Sequence, residues 1–155
     1  MSHINIGDKI PSVMLYEEAS ENEINIYDIV SDKKAIIFGV PGAFVPGCSR
    51  VHLRGFIEKS DELKAKGYDE IICVSVNDPF VLSAWGWAKG ATDKVRLLAD
   101  PMAKFTDAIK MGKLMIDLGG TRSRRYSMVT MNGIVKELFT ELDNVKLTCL
   151  DKKIL

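Results

Sequence analysis

A continuous apolar run over residues 35–40 constrains the fold of this chain more than any other feature. A strand that is apolar at every position is typical of a sheet with both faces covered. Segment 41–48, which is rich in proline and glycine and ends in Cys48, follows directly, and an amphipathic stretch begins near Ser49. This order of strand, turn, cysteine and helix predicts that Cys48 lies in the first turn of a helix. Unpaired N–H groups and the helix dipole favour an anion there, and a thiolate is such an anion.

Strand and helix patterns alternate along the chain after Cys48. Two Asp-Pro pairs, Asp78-Pro79 and Asp100-Pro101, each combine an N-cap with a first-turn proline and so open helices. The predicted elements are strands over residues 68–76 and 95–99 and helices over about 80–89 and 102–111. Strands that alternate with helices predict a layered α/β fold with a mixed sheet.

Local signals define the remaining elements. The helix after Cys48 is predicted to end before Gly67, with a bend at Gly55, because glycine weakens a helix interior by about 1 kcal/mol. Asn132-Gly133 separates two strand-like runs and favours a hairpin with a type I′ turn. The other predicted elements are short strands over residues 4–30 with a helical turn at 28–30, hairpin strands at 125–130 and 134–139, and a closing helix over 144–155.

Composition indicates an ordinary globular protein with one domain over residues 1–155. Lys and Arg balance Asp and Glu at 21 each, so neither nucleic acid nor a membrane surface is an expected partner. No apolar run reaches the roughly 18 residues of a membrane span, and the first residues do not resemble a signal peptide. The expected location is the cytoplasm or an organelle matrix, with a removed transit peptide as a second possibility.

Three cysteines, Cys48, Cys73 and Cys149, are odd in number and widely spaced, unlike the disulfide framework of a small secreted domain. The chain has no C-x-x-C motif and only two histidines, so a zinc site is not expected. The position of Cys48 in the sequence is compatible with two interpretations, a reactive thiolate and a small buried apolar residue.

Residues 41–56, PGAFVPGCSRVHLRGF, resemble the active-site signature of type II peroxiredoxins, the peroxiredoxin 5 subfamily. The resemblance extends through residues 75–78, 95–101 and 125–129, and therefore covers nearly the whole chain. It implies a thioredoxin-like fold, with a central mixed β-sheet flanked by helices and an N-terminal strand extension. It also implies a thiol-dependent peroxidase that reduces hydrogen peroxide and alkyl hydroperoxides without a metal, haem or flavin.

The resemblance assigns Cys48 as the peroxidatic nucleophile, whose thiolate attacks a peroxide oxygen and becomes a sulfenic acid. Pro41 matches the family proline that shields the sulfur. Arg125 matches the arginine that lowers the pKa of the cysteine and orients peroxide. Backbone N–H groups of Gly47 and Cys48 are candidate donors to the second peroxide oxygen. Only its place before residues 126–128 distinguishes Arg125 from the neighbouring arginines.

The expected substrate pocket contains Phe44, Val45, Gly47 and His52. His52 lies one helical turn beyond Cys48 and so shares its helix face. Val45 stands where the family has a threonine that hydrogen-bonds the substrate, and Arg54 replaces a family proline. Valine keeps the shape of threonine without its hydroxyl, so reduced rather than absent activity is expected. The alternative is a catalytically weakened redox-sensor or binding module with a thioredoxin fold.

Reduction of the Cys48 sulfenic acid back to the thiol is expected to involve one of the other two cysteines or an external thiol. Cys149 matches the C-terminal resolving cysteine of animal members, and from its residues alone it is equally a structural cysteine. Cys73 matches the second cysteine of plant members, although its apolar neighbours Ile72 and Val74 favour a core thiol. The resemblance implies thioredoxin or glutathione with glutaredoxin as reductant. It also implies a homodimer, with contacts expected around Phe44, Trp85 and Asp78-Pro79.

Overall fold

The computed structural model describes residues 3–46 and 52–141. Its elements in chain order are β1 Met14–Tyr16, β2 Glu23–Asn25, α1 Ile26–Val30, β3 Lys34–Val40, α2 Arg54–Glu58, α3 Ser60–Ala65, β4 Glu70–Ser75, α4 Pro79–Lys89, β5 Arg96–Ala99, α5 Lys104–Ala108, β6 Gly112–Met115, β7 Gly120–Ser123, β8 Tyr126–Met131 and β9 Ile134–Thr140. The closing helix predicted over residues 144–155 lies outside the described residues. No helix of the described part is long and apolar enough to cross a bilayer.

A seven-stranded mixed sheet forms the centre of the fold, with the strand order β2-β1-β5-β4-β3-β8-β9. Strands β3, β4 and β5 are parallel, whereas β8 runs antiparallel to β3 and β9 antiparallel to β8. The predicted N-terminal strands are β1 and β2, which pair with each other and extend the sheet beyond β5. This arrangement confirms the mixed sheet that the sequence predicts.

Strand β3 is central, and every residue after Lys34 is buried. Successive side chains of a strand point to opposite faces, and the core is correspondingly split into two clusters. Ile37 lies in one cluster with residues of α1 and α5, and Phe38 lies in the other with residues of α2, α3 and α4. Helices on both faces explain why the run at 35–40 is apolar at every position.

Two local predictions are confirmed in detail. Asn132 and Gly133 both have positive φ values, 54° and 77°, as a type I′ turn between β8 and β9 requires. The Asp78 carboxylate accepts the N–H groups of Phe80 and Val81, each at 2.9 Å, and so caps α4.

The helix after Cys48 differs from the prediction. His52 and Leu53 form a π-helical turn that leads into α2. Gly55 lies inside α2, and its carbonyl still accepts the N–H of Lys59 at 3.2 Å, so no bend occurs at Gly55. The interruption is at Lys59, where φ is −101° and ψ is 6°, and α3 begins at the next residue.

The second Asp-Pro pair also behaves differently from the first. Helix α5 begins only at Lys104, after Ala103 adopts a left-handed φ of 57°. The Asp100 carboxylate therefore reaches further along the chain, to the N–H of Phe105 at 3.2 Å and the N–H of Thr106 at 2.9 Å. The predicted helix over 102–111 is accordingly shorter, because Asp100 caps it from a distance.

A second sheet, which the sequence patterns do not predict, consists of the hairpin β6–β7. A 3₁₀ turn over Ile116–Leu118 joins the two strands. Gly119 and Gly120 complete the connection with positive φ values of 90° and 144°, which favour glycine. This hairpin contacts the end of β3 through residues described below.

Candidate active site

The loop that leads towards Cys48 leaves the carboxyl end of β3. Pro41 and Gly42 are buried at this point, whereas Phe44 is 52% exposed and has a left-handed φ of 65°. Residues 47–51, which include Gly47 and Cys48, lie outside the described residues. The geometry of the site therefore comes from the loop 41–46 and from the side chains that surround it.

Two side chains hold this loop on either side of Gly42. The carbonyl oxygen of Pro41 accepts the N–H of Arg122 Nη1 at 3.1 Å. The backbone N–H of Ala43 donates to Asn77 Oδ1 at 2.9 Å, and the Ser75 hydroxyl donates to the same oxygen. Sequence reasoning assigned no role to these contacts, because no local pattern connects β7 or the end of β4 with the loop.

The register between β3 and β8 brings Arg125 to the same end of the sheet. Gly39 pairs with Tyr126, the first residue of β8, so Arg125 directly precedes the paired segment at the end of the sheet where β3 leads into Pro41. The backbone carbonyl of Arg125 accepts the N–H of Glu141 at 3.2 Å. The antiparallel pairing thus brings Arg125 to the end of the sheet at which Pro41 lies, although the two residues are 84 positions apart in the chain.

His52 connects α2 to β8 in the core. Its side chain is fully buried, with Nε2 at 3.0 Å from the hydroxyl oxygen of Ser127. The imidazole centroid lies 4.8 Å from that of Phe38 and 5.8 Å from that of Phe56. Burial, and secondarily the positive charge of Arg125, lower the pKa of His52 to about 3. Ser127, which contacts His52, follows Arg125 by two residues in the chain.

These properties change the interpretation of His52. With no exposed surface, His52 belongs to the core rather than to the wall of an open substrate pocket. A group with a pKa of about 3 is also a poor general base at neutral pH. His52 instead holds the helix that follows Cys48 in the sequence against the strand that follows Arg125.

Phe44 and Val45 occupy different environments in the loop. Val45 is half-buried and packs against the apolar cluster that includes Phe38, Leu53 and Phe56. The exposed ring of Phe44 lies at the surface of the molecule. The apolar packing of Val45 explains how the loop accepts valine in place of threonine.

The other sequence-predicted residues divide between core and surface. Cys73 is fully buried in β4, in agreement with a core thiol, and Cys149 lies outside the described residues. Trp85 is also fully buried, so it cannot supply the surface contact expected of it, whereas Trp87 is 82% exposed. Only one face of helix α4 packs on the sheet, and Trp85 lies on that face.

No group of three or more His, Cys, Asp or Glu side chains in the described ranges could hold a metal ion.

Residues 5–154 match the Redoxin family model. Peroxiredoxin-2D of Arabidopsis thaliana is 40% identical over 152 residues, which cover 96% of this chain and 86% of that protein. The crystal structure of reduced Prx3 from Vibrio vulnificus is 38% identical with a TM-score of 0.86, and the match covers 96% of this chain and 97% of that one. Peroxiredoxin 5 from Alvinella pompejana is 37% identical with a TM-score of 0.85, covering 97% and 99% of the two chains.

Similarity of this extent in both sequence and structure confirms the thioredoxin-like fold. The chain therefore belongs to the Redoxin family and is a peroxiredoxin, a thiol-dependent peroxidase of the thioredoxin-like superfamily.

Proposed function

We propose that Cys48 is the peroxidatic cysteine of this enzyme and that Pro41 and Arg125 complete the reaction centre. The observation that supports this proposal is the contact between His52, which follows Cys48 by four residues in the sequence, and Ser127, which follows Arg125 by two. The positive charge of Arg125 also contributes to the lowered pKa of His52. A positive charge near a thiol favours the thiolate, which is the reactive form.

The reaction requires a thiolate, an oriented peroxide and donors for the leaving oxygen. The Cys48 sulfur attacks one peroxide oxygen, the O–O bond breaks, and the sulfur becomes a sulfenic acid. The other oxygen leaves with the bonding electron pair and takes a proton to form water or an alcohol. Arg125 and the N–H groups of Gly47 and Cys48 would stabilise the charge on that oxygen. Pro41, which lacks an N–H, would shield the sulfur without competing as a donor.

The substrates are proposed to be hydrogen peroxide and alkyl hydroperoxides. A V. vulnificus relative whose structure is described as a complex with hydrogen peroxide is 38% identical over 98% of this chain, which supports the first of these. Thioredoxin, or glutathione with glutaredoxin, would reduce the oxidised enzyme.

A homodimer is proposed, with contacts near Phe44 and Asp78-Pro79, where exposed Phe44 and Phe80 provide apolar surface. The cytoplasm or an organelle matrix is the proposed location, and two relatives are named chloroplastic.

Stopped-flow tryptophan fluorescence of the reduced enzyme mixed with hydrogen peroxide tests the proposal. We expect a rapid second-order change that Cys48→Ser lacks and Cys73→Ser retains, because Cys73 is buried in the core. A wild-type rate no faster than that of a free thiol would contradict peroxidase chemistry at Cys48. The alternative of a redox-sensor or binding module would then be favoured.

Val45→Thr is expected to raise the rate of Cys48 oxidation by up to about tenfold. A neutral hydrogen bond contributes ~0.5–1.5 kcal/mol, and 1.4 kcal/mol corresponds to a factor of ten in rate. The second-order rate constant with hydrogen peroxide measures the effect, and Val45→Ala, which also lacks a hydroxyl, is the control. An unchanged rate in Val45→Thr would show that the hydroxyl is dispensable in this loop.

Cys149 is the candidate resolving cysteine. Its thiol would attack the Cys48 sulfenic acid and release water as the disulfide forms. Bonded cysteines need Cα atoms within ~7 Å, so the step brings the two segments together. Non-reducing peptide mapping after one equivalent of peroxide is expected to give a Cys48–Cys149 peptide. Persistent sulfenic acid at Cys48 would instead assign resolution to an external thiol.

A further inference from the structure

We propose that Arg122 is a positioning residue that sets the conformation of the active-site loop 41–46, with Asn77 as its counterpart on the other side of Gly42. This inference rests on the proposed role of Cys48, which follows the loop by two residues. It gives the β6–β7 hairpin, which lies outside the central sheet, a role in positioning the loop that precedes Cys48.

Arg122 joins two separate segments through one guanidinium group. Its Nη1 donates to the carbonyl of Pro41 at 3.1 Å, and its Nη2 donates to the carbonyl of Leu118 at 2.9 Å. Leu118 ends the 3₁₀ turn that connects β6 with β7. The planar guanidinium, with donors in a fixed fork, therefore holds the hairpin and the loop in one relative position.

Gly42 makes this approach possible. A Cβ atom at Gly42 would lie 2.6 Å from Nη1 of Arg122 and 3.8 Å from its Cζ, so a side chain would displace the guanidinium. Gly42 has no left-handed φ, so backbone conformation does not require glycine at this position. The close approach of Arg122 is the structural reason for a glycine between Pro41 and Ala43.

The charge of Arg122 is directed at the loop. Within residues 3–46 and 52–141 no carboxylate lies within ion-pairing distance of its guanidinium. Its partners are instead two carbonyl dipoles, and the side chain is half-buried. Its positive charge therefore adds to the potential around the loop that precedes Cys48.

Asn77 holds the following peptide group. Its Oδ1 accepts the N–H of Ala43 at 2.9 Å and is itself held by the hydroxyl of Ser75, the last residue of β4. Together Arg122 and Asn77 bind the carbonyl before Gly42 and the N–H after it. Both peptide planes that flank Gly42 are thus fixed by side chains from outside the loop. Reacting atoms must be placed within a fraction of an ångström, so such ties control the rate.

The test compares four variants in the full-length reduced enzyme: Arg122→Met, Arg122→Lys, Asn77→Ala and the control Arg124→Met. For each, stopped flow gives the rate constant with hydrogen peroxide, and the pH dependence of alkylation by iodoacetamide gives the pKa of the Cys48 thiol. Thermal unfolding reports on the fold separately. Arg124 is a suitable control because it is a nearby half-buried arginine whose side chain, among the described residues, forms no hydrogen bond with the loop, unlike that of Arg122.

We expect Arg122→Met and Asn77→Ala to lower the rate constant by about 10- to 100-fold, since small misplacements have effects of this size. Arg122→Lys keeps the charge without the fork, so the thiol pKa should stay at its wild-type value while the rate falls. Arg124→Met should retain the wild-type rate.

Full activity in Arg122→Lys would overturn the inference, because charge alone would then suffice. Wild-type rates in both Arg122→Met and Asn77→Ala would overturn it as well. If Arg122→Met unfolds, Asn77→Ala still decides the outcome, because it removes only the second tie. A slow wild-type enzyme would reject the proposed function itself, so the two failures are distinguishable.

Discussion

Arg125→Met is expected to lower the second-order rate constant with hydrogen peroxide by about 10²- to 10³-fold. Hydrogen bonds to charged groups contribute ~1.5–3 kcal/mol each, and the loss of two such bonds at the lower end of this range, about 3–4 kcal/mol, corresponds to an effect of this order. The substitution also removes the positive charge that favours the Cys48 thiolate, so the pKa of that thiol should rise. Methionine preserves much of the length of the side chain and should leave the packing around the start of β8 largely intact.

Stopped flow at several pH values separates these two contributions. At a pH where the Cys48 thiol is fully ionised in both the wild-type enzyme and Arg125→Met, the remaining difference in rate reports only the loss of peroxide orientation. Arg125→Lys, which keeps the charge, should show the smaller change in thiol pKa. Arg124→Met serves as the matched control. A wild-type rate in Arg125→Met would remove Arg125 from the reaction centre.

The second large effect is a loss of stability in acid that originates at His52. The pKa of His52 is lowered from 6.5 to about 3 in the folded state, by burial first and by Arg125 second. Between these values the unfolded chain binds one more proton than the folded protein, so stability falls as the pH decreases. The His52 contribution is present above pH 6.5 and declines below it, by roughly 2–3 kcal/mol between pH 6.5 and pH 4.5.

Urea unfolding from pH 8 to pH 4.5 measures this contribution. His52→Leu should lose that part of the pH dependence, although its stability at pH 8 falls because the Ser127 hydroxyl loses its partner. His3→Gln, which removes the other histidine, should keep the wild-type dependence. In Arg125→Met the effect should become smaller but persist, since burial is the larger cause. An unchanged pH dependence in His52→Leu would contradict the assignment to His52.

Predictions that depended on neighbouring residues agree with the structure. The type I′ turn at Asn132-Gly133 follows from residues that accept a positive φ, and the capping of α4 by Asp78 follows from a side chain that reaches only two or three residues ahead. The buried strand over 35–40 follows from its apolar run. In each case the determining contacts lie within a few residues or depend on side-chain polarity alone.

Predictions failed where a helix boundary depended on distant packing. Helix α5 begins late because Asp100, itself buried between β5 and α5, binds the N–H groups of Phe105 and Thr106 rather than those of the next residues. The interruption at Lys59 likewise has no counterpart in a glycine or proline of the sequence. Capping rules describe the first turn after the cap and do not describe a carboxylate that reaches further.

The sequence by itself determined the order of strands and helices, the apolar central strand, and a cysteine after a Gly/Pro-rich turn with an arginine far along the chain. Only the tertiary structure decided which side chains surround the loop 41–46. The contacts that do so, Arg122 with Pro41 and Asn77 with Ala43, join residues 81 and 34 positions apart, and the core contact of His52 with Ser127 joins residues 75 positions apart. Hydrogen bonds at such separations arise from strand register and sheet order, and no local pattern specifies either.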